Sequence, residues 1–128
     1  MTGRIIDISP IISSRLAVWP GDIPFSRTVN LSIAEGANID LSSLTTTVHL
    51  GAHTDAPSHY SASGVSIEQR DLSLYVGDVQ VMGVDVARGV SIRLTDLNAP
   101  ISAPRVLFRT GSYPDPNHFN EDFCSLSP

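Results

Sequence analysis

The sequence predicts an α/β protein whose core is a β-rich mixed sheet carrying short helices. Short segments of alternating or β-branched composition recur along the chain, turn residues punctuate them, and helical periodicity is scarce. A length of 128 residues with 41% hydrophobic content suits one domain with a modest core and is too apolar for a disordered tail.

Arg4 to Ser9 mixes β-branched and polar residues and is expected to form an opening strand. Pro10 ends it, and the next stretch closes in the strong turn chemistry of Pro20-Gly21-Asp22. Phe25, Arg27, Val29, Leu31 and Ile33 share one parity, which predicts a strand from Phe25 to Ile33. Glu35 to Asn38 is a turn. Leu41 to Leu50 is rich in Thr, Ser and Val, which favours a strand over a helix. Val79, Val81, Val84 and Val86 make Gly77 to Ala87 a nearly continuous apolar run suited to a buried strand. Arg105 to Arg109 is a further short strand closed by Gly111. Asp71 to Val76 and Thr95 to Asn98 are each expected to make a helical turn or two. Ser127-Pro128 is a helix-start signature, with Ser as N-cap and Pro in the first helical position. Residues 1–128 therefore read as a single domain that is incomplete at its C-terminus.

Composition removes several function classes. The formal net charge is −5, whereas phosphate neutralisation needs a surplus of basic residues, so no nucleic-acid partner is expected. All eight basic residues are Arg, which excludes a Schiff-base lysine and a lysine-based phosphate loop. The single cysteine, Cys124, excludes an internal disulfide framework and a Cys-rich zinc site. The longest apolar runs are only a few residues, so no membrane span is expected. No segment resembles a signal peptide, and the expected location is cytoplasmic.

Three of the four His residues fall within His49-Leu-Gly-Ala-His53-Thr-Asp55-Ala-Pro-Ser-His59. Imidazole and carboxylate together make a ligand set for zinc, manganese, iron or cobalt. The spacing of four between His49 and His53 could suggest a helix, but the β-branched Thr and Val residues, Gly51 and Pro57 oppose one. Full extension is equally unsuitable, because four residues at about 3.3 Å each would separate the two Cα atoms by roughly 13 Å. A bend at Gly51-Ala52 is therefore expected, with His49 ending a strand and His53 and Asp55 on the loop that curls back. This reading takes His49, His53 and Asp55 as ligands of one metal, and Asp55 has a second oxygen with which to bridge to another. His59, beyond Pro57, is better placed as a general acid/base. The competing reading is a His-rich loop that supplies only surface or core hydrogen bonds.

The pattern H-x-G-[TA]-H-x-D-x-P-x-H, matched here by His49, Gly51, Ala52, His53, Asp55, Pro57 and His59, resembles that of the bacterial cyclase family of metal-dependent hydrolases. Asp7-Ile8-Ser9-Pro10, Trp19-Pro20-Gly21-Asp22-x-Pro24-Phe25 and the closing Phe123 to Pro128 are similar to its kynurenine formamidase (arylformamidase) branch. Ala52 stands where the family more often has Thr. The resemblance implies the swivelling β/β/α architecture, of which this chain would be the N-terminal part. It also implies two metal ions per site, with Asp55 serving both and the second ion's remaining His and Glu lying beyond this chain. Zinc is the first expectation for the ion and manganese the second. His59 is implied as proton donor and acceptor, Trp19 as a substrate-binding residue, and a homodimer as the assembly. The implied reaction is hydrolysis of a small aromatic formamide, N-formyl-L-kynurenine. An isatin hydrolase-like ring opener or another cyclase-family amidohydrolase is the alternative within enzymes, and a non-catalytic metal-binding fragment is the alternative outside them.

On sequence alone Trp19 reads equally as a core residue anchoring its loop. Cys124 is expected to be inert, and His118 to lie on a surface loop rich in Pro and Asn. Arg109 is expected in an ordinary surface ion pair, and Asp115 and Asp122 are loop acids with no evident partner. No G-x-S-x-G motif is present, which removes serine-based hydrolase chemistry.

Overall fold

Residues 4–128 are described by a computed structural model. Two short sheets and a series of single-turn 3-10 segments give a small mixed α/β-type fold. The chain divides into two compact units. One holds Ile6–His53 with Asp115–Phe119, and the other holds Thr54–Pro114 with Asn120–Pro128 and residues 4 and 5.

The first unit is built on an antiparallel hairpin, β1 (Ser26–Leu31) with β2 (Leu41–Thr45). The register pairs Ser26 with Thr45 and Leu31 with Leu41, and slips between Val29 and Leu31. Polar cross-strand pairs support it: Arg27 Nε donates to Ser42 Oγ at 2.9 Å and Asn30 Nδ2 to Ser43 Oγ at 2.7 Å. The connection contains a 3-10 turn, Ile33–Glu35, ended by Gly36 at φ +93°, a left-handed value that glycine adopts without steric cost. Leu16 and Leu50 are the buried apolar side chains of this unit.

The second unit carries a parallel pair, β3 (Gln80–Gly83) with β4 (Val106–Arg109). Parallel strands need a long crossover. Here it includes the 3-10 turn Leu94–Asp96 and a parallel bridge from Ile92 to Leu126. Met82, Val84 and Ile92 form its apolar centre. Asp122, which showed no partner in the sequence, takes a two-point grip from Arg88. In the first unit, Asp115 accepts from the Asn117 N–H at 2.9 Å, as a short Asx-type turn does.

Several expectations are corrected. Arg4 to Ser9 forms no strand; the Ser9 N–H instead donates to Asp7 Oδ1 at 2.9 Å, a local bond that competes with ladder pairing. The strand expected to Leu50 stops at Thr45, because the Thr47 N–H turns away to the Ile23 carbonyl at 2.9 Å. The apolar run from Gly77 to Ala87 supplies only four strand residues, and it alternates, with Val81 exposed and Met82 and Val84 buried. The two helical segments shrink to the 3-10 turns Leu72–Leu74 and Leu94–Asp96. No helix of the described residues is long and apolar enough to cross a membrane.

Candidate metal centre

Within the first unit the backbone bends at Gly51-Ala52, with Gly51 at φ +62°. The bend brings His49 Nδ1 to 3.1 Å from His53 Nε2, with the rings edge-to-face and their centroids 5.1 Å apart. His53 Nδ1 lies 2.9 Å from the Gly51 carbonyl oxygen. A carbonyl only accepts, so the proton of a neutral His53 sits on Nδ1, and the Nε2 lone pair is aimed at His49. A backbone carbonyl holding the far nitrogen of an imidazole is the usual support of a metal-binding histidine. Two nitrogens each about 2.0–2.1 Å from one tetrahedral ion lie about 3.3 Å apart. The observed spacing therefore suits a shared ion after a small adjustment.

His49 is held from behind. The Trp19 carbonyl accepts from the Asp22 N–H at 2.9 Å across Pro20 and Gly21, and Gly21 has φ +92°. That is the conformation a Pro-Gly type II turn requires. Asp22 Oδ2 then accepts from the Thr47 hydroxyl at 2.6 Å, and Thr47 Oγ1 accepts from the His49 N–H at 3.2 Å. The Thr47 hydroxyl, followed by the Ile23 N–H on Oδ1, holds the Asp22 carboxyl below its ordinary range.

In the second unit, Pro57–His59 form one 3-10 turn with Pro in its first position. Tyr60 joins two of the predicted residues there: its hydroxyl donates to Asp55 Oδ2 at 3.4 Å, and its ring stands against His59 at 4.4 Å and 74°. Trp19 is 58% exposed, which removes the core-anchor reading, and its ring meets Phe119 edge-on at 5.2 Å.

The structure thus pairs His49 with His53, and Asp55 with His59 through Tyr60. Sequence reasoning missed the roles of four residues: Tyr60, Asp22, Thr47 and Phe119. Tyr60 adjoins the motif and could have been found there. The Asp22–Thr47 and Trp19–Phe119 contacts join distant positions and leave no local signature. Imidazole and carboxylate, the donor types that His49, His53, Asp55 and His59 carry, are those that hold a divalent metal ion.

A family model described as "Putative cyclase" matches residues 6–128. A kynurenine formamidase of Bacillus thuringiensis subsp. konkukian is 32% identical over 118 residues, covering 92% of this chain and 56% of its own length. The kynurenine formamidase of Bacillus anthracis gives the same figures. That of a Bacillus cereus strain is 34% identical over 119 residues, again covering 92% and 56%. The chain spans just over half the length of the curated relatives it matches.

Proposed function

This chain belongs to the cyclase family, and from that premise we propose that it serves a metal-dependent formamidase reaction, the hydrolysis of N-formyl-L-kynurenine to L-kynurenine and formate. The observation that carries the reading is the His49–His53 imidazole pair, its outer nitrogen fixed on the Gly51 carbonyl. Likeness to relatives named kynurenine formamidase supplies the reaction. The family match runs through both units, which supports reading the chain as one cyclase-family domain.

His49, His53 and Asp55 would hold the first ion, and Asp55 would also serve the second. Nitrogen and oxygen donors favour zinc, then manganese. A divalent ion held there would polarise the formamide oxygen and lower the pKa of a bound water to about 7. A ring nitrogen of His59 takes the proton of the attacking water and returns it to the aniline nitrogen as the C–N bond breaks. Acid/base help of this kind typically contributes 10²–10⁴-fold. Tyr60 positions both the Asp55 carboxylate and the His59 ring. Trp19 offers an exposed aromatic face to the substrate ring. The working form is a cytoplasmic homodimer.

The test is zinc titration of the purified protein followed by steady-state assay on N-formylkynurenine and isatin. Formamidase turnover is expected, and activity on isatin alone would overturn the substrate reading. Zinc binding without turnover on either compound would favour a non-catalytic metal-binding module. His59→Ala should abolish turnover and keep the metal; loss of metal would make His59 a ligand.

A further inference from the structure

We propose that Asp22 is a positioning residue for His49, acting through the Thr47 hydroxyl. The inference deepens the metal reading above and rests on it. Three bonds within one unit carry it. The Asp22 carboxylate accepts from the Thr47 hydroxyl at 2.6 Å, the Thr47 oxygen accepts from the His49 N–H at 3.2 Å, and the Thr47 N–H donates to the Ile23 carbonyl at 2.9 Å. Thr47 is buried, whereas most of its neighbours along the chain are exposed. Its hydroxyl has one proton and two lone pairs, so donating to Asp22 leaves a lone pair for His49. The direction of the relay is therefore set from the carboxylate.

The Trp19–Asp22 turn fixes the other end. Asp22 is the last residue of a hydrogen-bonded Pro-Gly turn, so its carboxylate is carried on a rigid element. The His49 backbone, and with it the direction in which the imidazole leaves the chain, is thus tied to a segment twenty-five residues upstream of Thr47. Asp22 touches neither the ion nor the substrate in this scheme. Outer partners that orient a ligand in this way are typically worth 10–100-fold in metal affinity.

The experiment compares the full chain with Asp22→Ala, Asp22→Asn, Thr47→Val and the Asp22→Ala/Thr47→Val double variant. Zinc affinity is measured by competition with a chromogenic chelator, imidazole ¹⁵N spectra are recorded on the metal-free proteins, and melting temperatures are compared. Asp22→Ala and Thr47→Val should each weaken zinc binding 10–100-fold, and the double variant should lose no more than the worse single. Asp22→Asn, which still presents an acceptor to Thr47, should keep most of the affinity. The His49 ring signals should move in the metal-free Asp22→Ala protein while those of His59 stay in place. Unchanged zinc affinity in Asp22→Ala and Thr47→Val overturns the inference, as do additive losses in the double variant. A general fall in melting temperature with all imidazole signals moving together would show a merely structural role. If the unaltered chain binds no zinc, the metal reading fails on its own, and the metal-free His49 signals still decide whether Asp22 orients that ring.

Discussion

His53 Nδ1 lies 2.9 Å from the carbonyl oxygen of Gly51, two residues back along the chain, and that short loop turns the Nε2 of His53 toward His49. The loop closes only because Gly51 adopts φ +62°. A side chain at this position would find room, since an added Cβ would sit 3.4 Å from Leu16 Cδ2 and 3.5 Å from Pro10 Cγ, ordinary contact distances. The cost of Gly51→Ala is therefore conformational, roughly 1–2 kcal/mol for an L-residue held in the left-handed region. Denaturant unfolding of Gly51→Ala should show a loss of that size, with weakened zinc binding. Gly51→Asn should lose less, because Asn tolerates this conformation.

Gly64 makes a contrasting case. Its φ is not left-handed, but an added Cβ would overlap the carbonyl carbon and oxygen of Pro57 and crowd the Ser58 N–H. That backbone cannot yield without moving the turn that carries His59, since Ser58 N–H donates to the Val65 carbonyl at 3.1 Å. Gly64→Ala should destabilise by about 1–3 kcal/mol, as overpacking does. It should also depress turnover more than Gly51→Ala does relative to its effect on zinc affinity. Equal ratios of turnover loss to zinc loss in the two variants would show that the His59 turn had not been displaced.

How much of this was legible in the chain depends on how far apart the partners lie. Val106 to Arg109 pairs where its apolar composition said it would, and the bend at Gly51-Ala52 follows from ligand spacing and a missing Cβ. The early end of β2 could not be read, because Thr47 looks like one more β-branched strand residue. What removes it from the ladder is Ile23 and Asp22, on a turn whose own form was legible but whose contacts were not. The same holds for Arg88 and Asp122, thirty-four residues apart. Asp7 shows the reverse failure: a local side-chain bond overrode an apolar pattern that had no neighbouring strand to pair with among the described residues.

Trp19 and Phe119 meet edge-on at 5.2 Å and 73° within one unit, where Ala17 N–H also donates to the Pro116 carbonyl at 3.0 Å. An aromatic pair of this geometry adds about 0.5–1.5 kcal/mol beyond burial. Phe119→Ala should lower stability by that order and free the Trp19 ring. The checks are a red-shifted Trp19 fluorescence maximum and, in the formamidase assay, a raised KM with kcat little changed. A lowered kcat at constant KM would instead place Phe119 against the reacting group.

Arg88 grips Asp122 at two points, Nε on Oδ2 at 2.6 Å and Nη2 on Oδ1 at 2.5 Å, and also reaches the Ser112 carbonyl at 3.3 Å. The closing segment is fastened to the same place, since Gly89 N–H donates to the Asp122 carbonyl at 2.7 Å and Cys124 N–H to Ser112 Oγ at 2.9 Å. The guanidinium's hydrogen bonds hold the Asp122 carboxyl below its ordinary value, and the carboxylate in turn raises Arg88. Arg88 is charged throughout the accessible range, so only the acid side matters. A carboxyl whose folded pKa lies below its unfolded value stabilises the fold at every pH above the unfolded value, near 3.9. That contribution fades as pH falls through the folded value. Both side chains are about half exposed, so solvent screening keeps the effect modest. Asp22 and Asp71, lowered by hydrogen bonds from Thr47 and from the Ser73 N–H, act in the same window. Unfolding measured from pH 7 to pH 3 should show near-constant stability down to about pH 4 and a decline below it. In Asp122→Asn the decline should be shallower and the starting stability lower, because one of the titrating carboxylates is gone. An identical acid slope in the variant would mean that the Arg88–Asp122 pair contributes nothing to holding the closing segment, despite its geometry.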